Sequence, residues 1–396
     1  MITKRMLTQL LSVTAVLLIA VCTTQCLADI DIVEGKPKKI TLYDVLPRNE
    51  SAVTSMVTID DNTIVGVASG RTAAHVFRID STTNKIEKLV TIKKGAKYWS
   101  HPTIASHGSN ILVAFAFEPY VLHEWAKAKS LTKAKSVVAN DELVSPPIYI
   151  LDLKTKTLKE YPSPIAGSGT TGLTVNAHSG IFYALTVPPL FADGSHLFSI
   201  NPATGEGKDF GVVSKSPKFY DHQIPCNAVA FDEQGSVLLT GNGILKKYDI
   251  KQKTLKELSA KLPAVPGRHD FSYIEALVDG PDGDYYGGTS DGYLFRLDPE
   301  ECQIENFGKA LRQMHVIDLV RDGYTLYGVG GEKNGLPRLF SFDTKSRTFT
   351  LGGTPQAKPR EAFGQIGALS FANGKLYVAE NERNACIFIY SPEADE

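Results

Sequence analysis

The chain has 396 residues, of which 43% are hydrophobic, and its 42 basic and 43 acidic residues give a formal net charge of −1. This balance excludes a general polyanion-binding protein, so we expect no nucleic-acid partner. Five cysteines, two of them near the N-terminus, leave at most one disulfide for the rest of the chain. A hydrophobic core must therefore hold the fold.

Residues 1–28 are predicted to be a signal peptide. Lys4 and Arg5 precede an apolar run from Met6 to Val21, and a short polar stretch ends at Ala28, where cleavage is expected. A membrane anchor is the alternative, but the apolar run is short for a span. The pattern predicts a secreted or periplasmic protein that is not an integral membrane protein.

Lipid attachment at Cys22 or Cys26 is a further alternative for the same segment. Val21 and Gln25 precede these cysteines. Both residues are larger than the small residue that a lipidation signal requires at that position, so the sequence favours a cleaved signal.

A six-residue pattern of alternating apolar side chains recurs seven times in the rest of the chain, and six copies close on Asp or Asn. The copies are residues 75–80, 147–152, 196–201, 244–249, 293–298, 338–343 and 386–391. Most closing residues lie about 45 to 49 positions apart, with one interval of 72. This is the period of a propeller blade.

Each copy has strand patterns on both sides. A hairpin precedes it, as at 274–288, and a polar turn with a further alternating run follows it, as at 254–258. Four strands per repeat predict an all-β, seven-bladed β-propeller of four-stranded antiparallel blades, which forms a single domain over residues 29–396. Six or eight blades are the alternatives.

The last blade lacks a fourth strand because the chain ends at Glu396. Residues 38–43 near the mature N-terminus carry the missing alternating pattern. Pairing of this N-terminal strand with the last blade is expected to close the ring.

On these repeats the chain resembles the class of seven-bladed propellers that includes NHL, Kelch and quinoprotein-like repeats, over nearly all of residues 38–395. It carries no Trp-Asp dipeptide at the blade ends, no repeated Kelch double glycine and no Ser-x-Asp-x-Gly box. The resemblance implies the fold and leaves the function open, because one fold hosts many activities.

The long interval of 72 residues indicates an insertion at 119–146 in the second blade. Its apolar residues alternate with lysines, as in an imperfect amphipathic helix. A basic lid over the central funnel and a solvated helix on the rim are both compatible with this pattern.

Candidate site residues come from the segments that enter each blade, which share one face of a propeller. The short polar hairpins on the opposite face are interpreted as structural. We expect a central funnel on the face of these entering segments that binds a carbohydrate or another polar polymer, with a polar or anionic carbohydrate as partner. The expected ligand-binding residues are Trp99, His101, His315 and Gln365.

The alternative function is a polysaccharide lyase that acts by β-elimination on uronate-containing glycans. Arg268 would neutralise the carboxylate, His222 or His269 would remove the proton, and Tyr220 or Tyr273 would protonate the leaving oxygen. A second alternative is a protein-interaction scaffold with an exposed apolar patch.

Metal binding by the histidines of these entering segments is a further hypothesis, but no short ligand spacing supports it, and no metal ligand is assigned. The sequence leaves the cofactor open.

Overall fold

The computed structural model describes residues 37–94, 99–117, 145–187, 194–214, 226–312, 315–331, 337–354, 365–382 and 385–392. In these ranges 28 strands form seven four-stranded antiparallel sheets, which confirms the expected seven-bladed β-propeller. The signal peptide predicted at 1–28 and nearly all of the insertion predicted at 119–146 lie outside the described residues.

Helical structure in the described ranges is limited to two 3-10 turns, Leu42–Asp44 and His269–Phe271. No helix there has the length and apolar character that crossing a bilayer requires.

The strands are numbered in chain order. The N-terminal strand is β1 (Lys38–Thr41), and blade 1 follows with β2 (Ala52–Asp60), β3 (Thr63–Ser69), β4 (Ala73–Asp80) and β5 (Lys85–Lys93). Blade 2 contains β6 (Trp99–His107), β7 (Asn110–Phe117), β8 (Ile148–Asp152) and β9 (Thr157–Tyr161). Blade 3 contains β10 (Gly169–Val175), β11 (Phe182–Val187), β12 (Ser195–Ile200) and β13 (Gly207–Ser214).

Blade 4 contains β14 (Ala230–Phe231), β15 (Val237–Gly241), β16 (Ile244–Asp249) and β17 (Thr254–Lys261). Blade 5 contains β18 (Ile274–Asp279), β19 (Tyr285–Thr289), β20 (Leu294–Asp298) and β21 (Gln303–Gly308). Blade 6 contains β22 (Val316–Asp322), β23 (Thr325–Gly330), β24 (Arg338–Asp343) and β25 (Thr348–Leu351). Blade 7 contains β26 (Ile366–Ala372), β27 (Lys375–Glu380) and β28 (Cys386–Tyr390).

The ring closes through β1, as the sequence predicts. β1 pairs antiparallel with β28, with Lys38 opposite Ile389 and Thr41 opposite Cys386, and it becomes the fourth strand of blade 7. This pairing covers what would otherwise be the open edge of β28.

The closing Asp or Asn of the repeat has a local structural role. Asp80 Oδ1 accepts hydrogen bonds from the backbone N–H groups of Thr82 and Thr83, both at 2.9 Å, and Asn84 has a left-handed φ of 58°. The same turn recurs after Asp249, Asp298 and Asp343. Because the side chain satisfies turn N–H groups, the motif ends the third strand of the blade and starts the return to the fourth.

The core lies between neighbouring blades rather than in one central mass. Blades 1 and 2 enclose Val67, Val76 and Phe115, and blades 2 and 3 enclose Ile150 and Phe198, all almost fully buried. One face of each sheet therefore packs on the next blade, which explains the alternating apolar pattern of the strands. Among the described residues, Cys226, Cys302 and Cys386 form no disulfide bond.

Glycines in the second strand allow large rings in the third strand. A Cβ atom at Gly328 would lie 2.2 Å from Phe340, and one at Gly66 would lie 2.3 Å from Phe77. Phe340 and Phe77 are directly opposite these glycines in the sheet and are almost fully buried. The small residue is thus a packing requirement.

Candidate binding site in the central channel

A channel with a volume of about 860 Å³ runs along the inner strands of the propeller. Six of the first strands line it, and in blade 4 the segment just before β14 does so. In each sheet the first strand is the terminal strand nearest the axis of the ring. The edge that does not pair with the second strand has no ladder partner and faces the channel. Unpaired backbone N–H and C=O groups therefore make the lumen polar before any side chain is considered.

The channel lining extends to the face that carries the hairpin turns between first and second strands. Asp61, Arg321, Asp322 and Asn373 lie at these turns and line the channel. From their sequence alone, the turns of this face are expected to be purely structural. The structure adds a second role, because the lining continues from the inner strands to this mouth.

In the described ranges, five carboxylic acids and one arginine line the channel. The acids are Asp61, Glu275, Asp279, Asp318 and Asp322, and the arginine is Arg321. The Arg321 guanidinium donates hydrogen bonds to the carbonyl oxygens of Asp279 and Gly323, at 2.7 and 2.9 Å. In this lining acidic groups therefore outnumber basic ones, which disfavours an anionic ligand inside the channel.

Burial changes the protonation of two of these acids. Desolvation raises the pKa of Asp318 to about 7, and the N–H groups of Leu319 and Leu369 oppose this rise only in part. Burial also raises the pKa of Asp279, against the effect of the nearby Arg321. Carboxyl groups shifted in this way are typical of functional sites.

Three of the expected site residues meet at the border of blades 5 and 6. Arg268 Nε lies 3.1 Å from Oδ1 of the buried Asp291, and His315 Nδ1 lies 2.8 Å from Glu275 Oε2. Tyr273 is close enough to both carboxylates for their charges to raise its phenol pKa, although burial is the larger cause. Arg268 and His315 therefore each contact one of two acids, Asp291 and Glu275, and Tyr273 lies near both acids.

His315 has a left-handed backbone, with φ at 71°. Its N–H donates to the carbonyl oxygen of Ser290 at 3.0 Å, and its carbonyl accepts from Gly331 at 3.2 Å. A residue other than glycine with a positive φ has a strained backbone, and such strain is concentrated at functional sites.

The other expected site residues have different surroundings. His101 is exposed and has its Nδ1 2.9 Å from the Ser100 hydroxyl. His269 is exposed in the 3-10 turn, and Gln365 accepts a backbone hydrogen bond from Asn381 at 2.6 Å. Trp99 is buried in the core against Phe115, with 6.0 Å between ring centroids.

Tyr220 and His222 lie outside the described residues. In the described ranges no group of three or more His, Cys, Asp or Glu side chains is arranged to hold a metal ion.

Sequence reasoning missed Glu275, Asp291 and Asp318. Asp291 follows the second strand of blade 5, and the two others lie within first strands. A single acidic residue in a strand matches no sequence motif. An acid inside an otherwise apolar strand, such as Glu275 in Ile274–Asp279, nevertheless indicates a candidate functional position, because a charge is costly to bury.

Comparisons with known proteins support the fold. No family model matches the chain, and no curated protein does. A streptogramin B lyase structure matches with a TM-score of 0.59 and 13% identity, and the match covers 89% of this chain and 97% of that one. The likeness is one of fold alone.

Two further solved structures show the same likeness. One is YCF48 bound to D1 peptide, with a TM-score of 0.54, 11% identity and coverage of 91% of this chain and 97% of that one. The other is a mitotic checkpoint complex, with a TM-score of 0.56, 10% identity and coverage of 91% and 93%.

Proposed function

We propose that this protein is an exported ligand-binding propeller that holds a polar ligand, a carbohydrate or a similar hydroxyl-rich polymer, in its central channel without chemistry of its own. The observation that carries the proposal is the polar channel of about 860 Å³. This volume is in the range of small-molecule sites, which combine a cavity with a few oriented polar groups.

The lining offers both kinds of contact that sugars use. Ser106, Thr103 and Asn227 supply hydroxyl and amide groups. Phe371 is half-buried in the lining and stacks on Tyr327, with ring centroids 5.5 Å apart and an angle of 3° between the rings. A ring held in place by a second ring is a rigid apolar surface for a sugar.

Elimination on a uronate glycan has weaker support. Arg268, the residue expected to neutralise the substrate carboxylate, already pairs with Asp291. Burial and two nearby carboxylates raise the pKa of Tyr273, so its phenol stays protonated, as the expected donor role requires, but gives up its proton less readily. The acid-rich channel would also repel a polyanion.

A scaffold function rests on fewer observations. In the described ranges five large apolar side chains are exposed, namely Tyr43, Leu255, Phe271, Tyr324 and Leu351. They belong to separate strands and turns, and Tyr324 is covered in part by the Lys345 ammonium 3.6 Å from its ring centroid.

The test is calorimetric titration of the mature protein with oligosaccharides of different charge, together with two tryptophan variants. Asp61 and Asn62 are exposed neighbours in one hairpin turn, and only Asp61 lines the channel. Asp61→Trp is expected to weaken binding several-fold by narrowing the channel mouth, whereas Asn62→Trp should bind as the wild type does.

Equal affinity in the two tryptophan variants would place the ligand outside the channel. Absence of binding across the panel would overturn the proposal. Release of unsaturated uronate products, detected by their ultraviolet absorbance, would replace it with the lyase.

A further inference from the structure

Six of the seven first strands change register against the second strand, five of them at an equivalent position and β10 further along the strand. The shifts fall before Ser55 in β2, Thr103 in β6, Thr174 in β10, Ala276 in β18, Asp318 in β22 and Ala368 in β26. All six residues line the channel or directly adjoin residues that do. A bulge of this kind redirects the local side chains and leaves backbone groups unpaired.

Three of these residues perform the same task between blades. Ser55 Oγ accepts a hydrogen bond from the backbone N–H of Ile104 in blade 2, at 3.3 Å. Thr174 Oγ1 accepts one from Val229 at blade 4, at 3.2 Å. Asp318 Oδ2 accepts one from Leu369 in blade 7, at 2.7 Å. Each bond satisfies an N–H of a first strand or, for Val229, of the segment just before β14.

Blades 1 and 3 show that a neutral hydroxyl is sufficient for this inter-blade bond. In blade 6 the position equivalent to Ser55 carries a carboxyl group, which is far more costly to remove from water. In the described part of the chain, Asp318 is contacted by the N–H groups of Leu319 and Leu369, and no cation pairs with it. The charge of Asp318 therefore exceeds what the fold requires.

The other charged groups of the channel do not offset Asp318. Glu275 lies on β18 of the preceding blade, and Asp279 and Asp322 lie further along β18 and β22, toward the hairpin mouth. Arg321, the one basic residue of the lining in the described ranges, donates to two backbone carbonyls. A positive charge inside the channel would thus meet carboxyl groups at several depths.

We infer that the channel selects a ligand that carries a positively charged nitrogen, such as an amine-bearing oligosaccharide, and that Asp318 is the side chain that faces this charge. The inference rests on the proposed binding function and specifies its ligand class. In a confined channel an ammonium–carboxylate contact is stronger than in bulk water, so one uncompensated carboxyl group can set selectivity.

The experiment compares tetramers of glucosamine, N-acetylglucosamine and galacturonic acid by calorimetric titration near pH 7, because the amine of a 2-amino sugar is largely neutral by pH 8. The wild type is expected to bind the glucosamine tetramer roughly tenfold more tightly than the acetylated one, and the acidic tetramer least. Asp318→Thr, which supplies a hydroxyl as Ser55 does at the equivalent position of blade 1, should keep the inter-blade bond and lose most of this preference.

The control is Asp282→Asn, which removes an exposed carboxylate from the hairpin between β18 and β19 that does not line the channel. It should keep the full preference. If the Asp318→Thr variant fails to fold, Asp318→Asn replaces it. The ranking of the three tetramers by the wild-type protein tests the inference without any substitution.

The outcomes separate the two proposals. Equal affinity of the wild type for the amine-bearing and acetylated tetramers, or a preference that survives in a folded Asp318 variant, would overturn the cation inference and leave the binding function standing. If none of the tetramers binds, the binding function itself fails for this class of ligand, and the inference fails with it.

Discussion

Oε2 of Glu275 lies 2.8 Å from Nδ1 of His315, and this contact ties the first strand of blade 5 to the residue just before the first strand of blade 6. Both side chains are largely shielded from solvent, with exposed fractions of 15% and 28%. The contact joins a channel-lining acid to a residue held in a left-handed backbone conformation.

Loss of this contact is expected to destabilise the ring. Glu275→Ala should lower the free energy of unfolding by about 1–3 kcal/mol, because a partly buried hydrogen bond to a charged group is removed. Glu275→Gln keeps an acceptor for the imidazole and should cost less. Urea denaturation measures both, with Glu301→Ala at an exposed position as control. Equal losses at positions 275 and 301 would show that the contact contributes nothing.

Asp318 is expected to make stability fall as the pH rises through neutrality. Its folded pKa of about 7 lies above the usual value of 3.8. The folded state therefore binds more protons between these values, and the stabilisation present below pH 4 is lost as the pH rises through 7. Over this range the loss should be on the order of 2 to 4 kcal/mol.

The Asp318→Thr variant tests this expectation. Its stability relative to the wild type should be greater at pH 8.5 than at pH 5, because only the wild type carries a desolvated charge at the higher pH. Denaturant unfolding at several pH values measures the difference. A difference that does not change with pH would mean that Asp318 titrates normally.

Gly328 should not tolerate a side chain. Its Cβ position lies 2.2 Å from the Phe340 ring, so Gly328→Ala forces the ring or the strand to move and should cost about 1–3 kcal/mol. Gly353→Ala is the matched control, because nothing lies within 4 Å of its Cβ position. Thermal unfolding of the two variants compares them directly, and a similar melting temperature for both would contradict the packing argument.

The aspartates that close the blade repeats should contribute to acid sensitivity. Backbone hydrogen bonds, from Ser346 and Thr83 respectively, are the main reason why the pKa values of Asp343 and Asp80 are lowered. A carboxylate whose pKa is lower in the folded state than in the unfolded state stabilises the fold at pH values above its unfolded pKa. This stabilisation is lost as the pH falls through the folded pKa. Asn201, which accepts from Ala203 at 2.9 Å, shows that an amide can hold the same turn.

A double variant, Asp80→Asn with Asp343→Asn, is therefore expected to lose less stability than the wild type between pH 5 and pH 2. Melting temperatures across this range measure the effect, with Asp282→Asn as the control. If the double variant and the wild type lose stability in parallel, these turns do not contribute to acid unfolding.

The repeat predicted the fold in some detail. Six of the seven copies lie in, or within one residue of, a third strand whose closing Asp or Asn starts a turn, and the seventh contains β28. The N-terminal pattern correctly identified β1 as the missing strand of blade 7. These features are local, because strand alternation and turn chemistry depend on residues close together in sequence.

The candidate site was less accessible to sequence reasoning. The segments that enter the blades identified Arg268, Tyr273 and His315, but not Glu275 and Asp291, the acids that these side chains contact or approach. The hairpin turns were expected to be only structural, so the acids at these turns that line the channel were not predicted as site residues. Which side chains reach the axis depends on register shifts that no alternating pattern reveals.

The sequence by itself determined the blade repeat, its four strands and the closure of the ring, because each repeat encodes its own strands and turns. Only the tertiary structure decided which acids line the channel and which of them gain a partner. It also decided that, in the described residues, the carboxyl group of Asp318 has no basic partner. Glu275 and His315 are 40 positions apart, and Asp318 and Leu369 are 51 apart. Their environments arise when neighbouring blades pack, and desolvation is a property of that packing rather than of either segment.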